Sequence, residues 1–424
     1  MGQKQIIPEP PPVHRTLETG MLDEAPPALA VVLWQHVRRL RDWIDASPAE
    51  RQALFHPEPP RWVREKQEEA RGEHPEIAGD LEAVEAVLLT PTAVDAGQLA
   101  AALERLSRWA EAQGYTRTSI PLADLAARVD REEPRLANLA GRLARNAGDH
   151  TRAEAWLERG IGLARRRADW VEYTRGHLGA GILCMTTGRE SRARRHLNTA
   201  STIAMREGHE WLAAEAQHDL FQFMTLRGNL VEAEVHARRA FAWYPKHHKR
   251  FPFFAADVAF LLVCQQHHSA AAALLRLFVR VVTTPQSILG LSLLVRALAT
   301  SAGKQEFEEA RAQLLDVLQM RGEYEAGARW NLAHADRAAG NWESARTNAR
   351  MAVDLAHAQR DLETERFARA LLADLEAGVP SPPELPRIDH KLTEWLAALT
   401  ARLESWSPTR RGRLPSRSRA DWAA

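Results

Sequence analysis

Cysteine is almost absent: Cys184 and Cys264 are the only two in 424 residues, too few for a disulfide framework. An excess of either charge is missing too. Lysine and arginine number 56 against 55 aspartates and glutamates, a formal net charge of +1, so nothing global draws the chain to nucleic acid or an anionic membrane. Long hydrophobic runs are lacking. The most apolar windows, 251 to 264 and 270 to 282, are broken by Asp257, Arg276 and Arg280, short of the roughly 18 uninterrupted apolar residues that span a bilayer. Met1 to Pro8 has no continuous apolar core of the secretory type and runs into Pro10, Pro11 and Pro12, which makes the cytoplasm the expected location. Alternating strand patterns bounded by Asn-Gly or Asp-Gly turns do not occur.

Chemical signatures are equally scarce. There is no Gly-x-x-x-x-Gly-Lys-Ser/Thr loop, no Gly-x-Gly-x-x-Gly after a strand, no Gly-x-Ser-x-Gly elbow, no Cys-x-x-Cys and no His-Glu-x-x-His. Seventeen histidines invite a metal reading. The pairs His247-His248 and His267-His268 are adjacent, however, and neighbours on a helix point apart. The expectation is a protein without catalytic residues, cofactor or metal.

What is present is core-forming and helical. Hydrophobic residues make up 45% and charged residues 26%, the balance of a folded protein, and the length suits two or three domains or one repeat array. Ser47-Pro48-Ala49-Glu50 sets an N-cap, a first-turn proline and a capping-box glutamate in register, and Leu103, Leu106 and Trp109 recur at helical spacing. Residues 22–131 therefore read as five or six helices. Prolines 57, 59, 60, 75, 91 and 121 are expected at their junctions.

A repeat organises the middle of the chain. Gly148, Gly188 and Gly228, spaced by 40 residues, each open a short polar turn followed five residues on by Ala153, Ala193 or Ala233. The same step reaches His268 with Ala273, and looser copies begin at Gln305 with Ala310 and at Gly340 with Ala345. A fixed period in this range means stacked helix–turn–helix units. The glycine caps the first helix at positive φ, and the alanine lets two backbones cross closely. Leu157, Leu197 and Leu277, four residues past the alanine, are expected to pack the next unit. Cys184 and Cys264 both fall four residues before the expected turn position, two periods apart and beyond the roughly 7 Å a disulfide requires. They read as small buried packing residues.

These residues resemble the tetratricopeptide repeat (TPR) family over about 134–377, with Gly141 and Gly181 seven residues before the turn glycines and Gly160, Ala200 and Ala240 at the later small position. The period is longer than the family's usual value of about 34, as in long-repeat helical sensors and adaptors of bacterial regulatory type. The resemblance implies an all-α, right-handed helix-pair solenoid behind a helical N-terminal region. It also implies a concave groove lined by the first helix of each pair, mapping onto Arg135, Asn138, Arg142 and Arg145, then Leu178, Ile182 and Met185, then His218 and Gln222. Val258, Leu262 and Gln265 follow, and Trp330, Asn331, His334 and Arg337 close the row. Such a surface suits an acidic-hydrophobic peptide or helix, with arginine and asparagine holding a carboxylate. Against it stands the plainer possibility of neighbour packing and a solvated arginine face.

The expected organisation is a disordered proline-rich N-terminus (1–21), the helical region (22–131), a solenoid of about six helix pairs with a capping helix (132–377), a proline-rich linker (378–387), a last helix (388–406) and an arginine-rich tail (407–424). Leu362, Phe367, Leu371, Leu372 and Leu375 mark the capping helix's buried side. Trp170, Trp211 and Trp243 recur at unit boundaries, where they fit packing better than base stacking, and Lys246 to Arg250 reads as a solvated basic loop. Function is expected to be that of a non-catalytic scaffold or sensor with a protein partner, with no membrane span and no nucleic acid. Two alternatives stay open: an enzyme site between the N-terminal helices and the solenoid, and a nucleic-acid-associated regulator acting through the tail. The sequence does not specify the oligomeric state.

Overall fold

The structure is a computed structural model that describes residues 7–12, 19–51, 53–54, 60–282, 287–301, 303–319, 324–381 and 390–406. Among these there are twenty α-helices and no strand. The arginine-rich tail, Pro57, Pro59 and linker residues 382–387 lie outside the described residues. The chain forms two compact units that divide between Ala180 and Gly181.

The first unit begins with helices α1 (Pro27–Asp45), α2 (Pro48–Arg51), α3 (Arg61–Glu73), α4 (Ala78–Leu89), α5 (Ala96–Gln113) and α6 (Thr116–Val129). The Ser47/Glu50 capping box forms, with the Ser47 N–H donating to Glu50 Oε2 at 2.8 Å. Pro60, Pro75 and Pro91 sit at junctions, but Pro121 lies inside α6. One pair follows, α7 (Pro134–Asn146) with α8 (His150–Arg167), and then α9 (Trp170–Thr186), within which the division falls, so that α10 (Glu190–Arg206) belongs to the second unit. The core of the N-terminal helices does not close at residue 131. Leu33, Leu81, Leu103 and Leu122 share one cluster with Leu136, Leu139 and Trp156, so the first helix pair is buried against the region expected to precede it. Ile7 to Pro12, within the span expected to be disordered, lies against this unit.

The second unit holds α10, then the pairs α11 (Glu210–Leu226) with α12 (Leu230–Trp243), α13 (Phe251–Cys264) with α14 (His268–Val281), α15 (Ser287–Ser301) with α16 (Lys304–Leu318), and α17 (Glu325–Ala338) with α18 (Trp342–Ala358). α19 (Leu362–Glu376) buries Leu371 and Leu375 against Ala333, Ala345 and Ala349 and so caps the last pair. Leu362, expected inside, is exposed at the first position of the helix. α20 (His390–Glu404) packs on α13 and α14, burying Leu392, Leu399 and Leu403, and sets Trp395 against Phe241 of α12.

The turns explain the repeat. Gly148, Gly188, Gly228 and Gly340 adopt φ of 73°, 70°, 74° and 79°, and Ala153, Ala193, Ala233 and Ala345, five residues on, are each fully buried. A left-handed residue there sends the chain back with little loop, and the alanine admits the crossing backbone. Gly141 receives Leu157, and Gly181 receives Leu197, so closely that a β-carbon on either glycine would meet the leucine at 2.7 or 2.6 Å. In the third pair the sizes are exchanged: Phe221 stands where the glycine is expected and Ala237 where the leucine is, both fully buried.

The fourth pair is out of the expected phase. Its left-handed turn residue is Gln266, at φ 62°, and the buried alanine and leucine are Ala271 and Leu275. Ala273 is exposed and Leu277 half-buried, so the turn comes two residues earlier than the 40-residue step places it. Cys264 therefore stands two residues before its turn and Cys184 four before Gly188. The two are not equivalent positions, and both thiols are free.

Candidate functional site

Within the second unit, α13, α15, α17 and α19 each contribute one large side chain to a single cluster: Phe260, Arg296, Trp330 and Phe367. The Arg296 guanidinium lies over the Trp330 ring at 5.1 Å and the Phe260 ring at 5.8 Å. Trp330 meets Phe260 at 6.0 Å, Phe367 at 5.8 Å and His334 at 5.1 Å between ring centroids. Arginine suits this place because its planar, weakly hydrated cation stacks on aromatic faces.

What distinguishes Arg296 is the company it lacks. Among the described residues no carboxylate pairs with it, and its one hydrogen bond is from Nη1 to Asn331 Oδ1 at 3.2 Å. Asn331 in turn donates to Ser292 Oγ at 3.2 Å. Burial pulls the Arg296 guanidinium down to about 10, Cys264 opposing that fall and Arg337 adding to it. His334 is held well below the usual imidazole range by burial and then by Arg296 and Arg337, so it stands neutral. Trp330 Nε1 is buried with no acceptor among the described residues. A half-buried cation, a second cation and an unpaired indole N–H together form a donor-rich, acceptor-poor site. An anionic group beside an apolar one is what such a site can hold.

Arg337 is fixed from behind. Its Nε and Nη2 donate to the carbonyls of Val379 and Pro380, each at 2.8 Å, and Nη1 lies 3.5 Å from exposed Asp374. Gln265 is half-buried with its Oε1 unpaired.

The other expected groove residues are engaged within their own units. Asn138 is buried, and its Nδ2 donates to the Glu172 carbonyl and to Glu172 Oε2, both at 2.9 Å. Arg142 makes a two-point salt bridge to Glu111 at 2.5 and 2.8 Å, which occupies the guanidinium face the sequence reading reserves for a ligand. Arg135 pairs with Glu104, and Arg145 donates to Asn146 Oδ1 at 3.1 Å. Leu178, Met185, Val258 and Leu262 are buried, the last two completely, and Ile182 is half-buried.

His218 is a core residue. Its Nδ1 shares a hydrogen bond with the Tyr244 hydroxyl at 2.9 Å and its Nε2 with Asp257 Oδ2 at 2.7 Å, to which Gln222 also donates at 2.6 Å. The basic stretch 246–250 is not simply solvated. Arg250 turns inward to Asp219 at 2.6 Å and Glu215 at 3.6 Å, two carboxylates one turn apart on α11, and burial followed by Arg250 and Lys249 brings His248 down to about 3.

Arg296, Phe260 and Phe367 escape a reading tied to turn glycines, because the fifth pair has none at its expected turn. Their positions relative to Trp330 carry a signal all the same: 260, 296, 330 and 367 are spaced by one repeat each.

No family model matches the sequence, and no curated protein matches it. Among solved structures, the TPR domain of P58(IPK) is 14% identical, with 74% of this chain and 99% of that one covered and a TM-score of 0.21. A circular tandem repeat protein with novel repeat topology and enhanced subunit contact surfaces is 15% identical, with 92% and 89% covered and a TM-score of 0.17. Likeness at these scores carries no argument about function.

Proposed function

We propose that the chain is a non-catalytic interaction protein of TPR-like build, whose second unit takes an acidic-hydrophobic peptide or helix across the first helices of successive pairs. One observation carries this reading: Arg296, stacked on Trp330 and beside Phe260, has no carboxylate partner among the described residues. A partner's Asp or Glu meets Arg296 and the Trp330 N–H, and an adjacent apolar side chain lies on Phe260 and Phe367. Trp330, Asn331, His334 and Arg337 remain in the site, and Arg296 is its centre. On this reading the protein works in the cytoplasm as the sensing or scaffold part of a bacterial regulatory system.

A test is selection of a displayed random-peptide library on the full chain. Enriched peptides should carry Asp or Glu beside Leu, Ile or Phe. Because a hydrogen bond to a charged group contributes about 1.5–3 kcal/mol, they should bind Arg296→Gln at least about tenfold more weakly. Enrichment of neutral or basic sequences, or acidic sequences indifferent to Arg296, would contradict the reading.

A further inference from the structure

In the first unit a second constellation has no place in the site above. α6 and α8 turn one face each toward residues 7–12: Asp124 and Arg128 are one helical turn apart on α6, and Arg152, Trp156 and Arg159 follow at spacings of four and three on α8. Asp124 organises the floor. It accepts from Arg128 Nε at 2.7 Å, from Trp156 Nε1 at 2.8 Å and from Arg152 Nη2. One carboxylate thus orients two guanidiniums and leaves donors on both unused. Arg159 makes no salt bridge among the described residues, though the Glu9 carboxylate acts on it electrostatically; it donates from Nη2 to the Arg131 carbonyl at 2.7 Å, and its Nε is buried without an acceptor among them.

One guanidinium nitrogen of each arginine reaches the same short segment. Arg159 Nη1 reaches the Pro8 carbonyl at 2.6 Å, Arg152 Nη1 reaches that of Pro12 at 2.6 Å, and Arg128 Nη2 reaches that of Pro11. Ile7 lies over Gly162, where an added β-carbon would be 3.5 Å from its Cγ1, and Pro11 is buried. The chemistry on the two sides is complementary. Pro8, Pro10, Pro11 and Pro12 have no N–H, so the segment offers mainly acceptors, its backbone carbonyls and the Glu9 carboxylate, while the helices offer arginine donors. A proline-rich strand is also stiff before it binds and loses little conformational entropy on docking.

We infer that this face of α6 and α8 is a recognition site for extended proline-rich peptides, and that residues 7–12 are an intramolecular occupant which a proline-rich segment of a partner protein replaces. The three arginines read backbone carbonyls, and the gap over Gly162 selects an apolar residue ahead of the first proline. Tethering gives the occupant an effective concentration on the order of millimolar, so a free peptide competes poorly until that occupant is weakened.

The probe is a fluorescein-labelled peptide with the sequence of residues 7–12, followed by anisotropy on the full chain. Replacing Pro8, Pro11 and Pro12 together by Ser adds N–H groups with no acceptor and loosens the occupant. That variant should bind the probe at least about tenfold more tightly than the unaltered chain. Adding Arg159→Met should abolish the gain, with thermal melts by circular dichroism confirming that both variants fold. A cross-linking measurement needs no variant: the same peptide carrying benzoylphenylalanine in place of its isoleucine, at millimolar concentration, should label α8 near Gly162 in the unaltered chain. If a dimer of the chain is found and the probe dissociates it, the second copy supplies the segment in trans and the site stands. No gain on loosening the occupant, a gain indifferent to Arg159, or no cross-link to α8 would each overturn the inference and leave residues 7–12 as a permanent part of this unit's packing.

Discussion

Asn138 of α7 fills the notch left by Gly160 of α8 so completely that a β-carbon on the glycine would collide with the asparagine Oδ1. The same amide crosses to α9 through Glu172, so one side chain ties three helices together. Gly160→Ala should therefore lower stability by about 1–3 kcal/mol, since an overfilled contact forces neighbours off their rotamers. Gly72 of α3 is a control of opposite sign. Nothing lies within 4 Å of its added β-carbon, and Gly72→Ala should raise stability by about 0.4–1 kcal/mol through the unfolded chain. Denaturant midpoints for the two variants check both.

The phase of the fourth pair is testable with two neighbouring alanines. Ala271→Leu places a large side chain at a fully buried crossing and should cost about 1–3 kcal/mol. Ala273→Leu, on the exposed face, should shift stability by less than about 0.5 kcal/mol. Equal effects in thermal melts would restore the turn to His268.

Arg142 supports the fold through Glu111. A double-mutant cycle with Arg142→Met and Glu111→Gln should give a coupling of about 0.5–1 kcal/mol, the pair being a quarter exposed or less on each side. A coupling indistinguishable from zero, together with an unchanged midpoint for Arg142→Met, would return this arginine to the candidate ligand-binding residues.

Mild acid should weaken the first unit at His36. Burial, followed by the charges of Arg39 and Arg71, lowers this imidazole from 6.5 to about 3, and neither ring nitrogen has a partner among the described residues. A histidine with its folded value depressed binds its proton more readily in the unfolded chain. Its stabilising contribution is therefore whole above 6.5 and lost progressively as pH falls toward 3. The slope approaches about 1.4 kcal/mol per pH unit once the unfolded imidazole is protonated. His36→Leu, which orphans no polar group, should flatten the fall in stability between about pH 7 and about pH 5. Urea titrations at both pH values, in both proteins, measure the difference.

Much of this architecture is legible in the sequence because it rests on local signals. A glycine that must take positive φ and an alanine that must be small leave fixed marks, and Gly148, Gly188, Gly228 and Gly340 locate their turns without further information. Where the left-handed position falls to Gln266, the mark vanishes and the register slips by two residues. The exchange of sizes at Phe221 and Ala237 hides the third pair's packing in the same way, because the large side chain now stands on the first helix of the pair and the small one on the second. Sites are harder to read. Asn138, Arg142 and His218 have groove-like spacing, but their fates depend on Glu172, Glu111 and Asp257, partners 31 to 39 residues away that no local pattern announces. Arg296 is the converse: its significance lies in having no carboxylate beside it among the described residues, which a sequence cannot display.

The most direct test of the proposed site follows the indole N–H of Trp330 by 15N NMR, its resonance assigned by comparison with Trp330→Phe. On titration of the full chain with a library-selected acidic-hydrophobic peptide, this N–H should move downfield and saturate with the same affinity as binding measured calorimetrically, as expected for a buried donor that gains an anionic acceptor. The shift should vanish in Arg296→Gln. A Trp330 resonance that stays in place while the peptide binds would contradict the account and move the binding face elsewhere on the helix array.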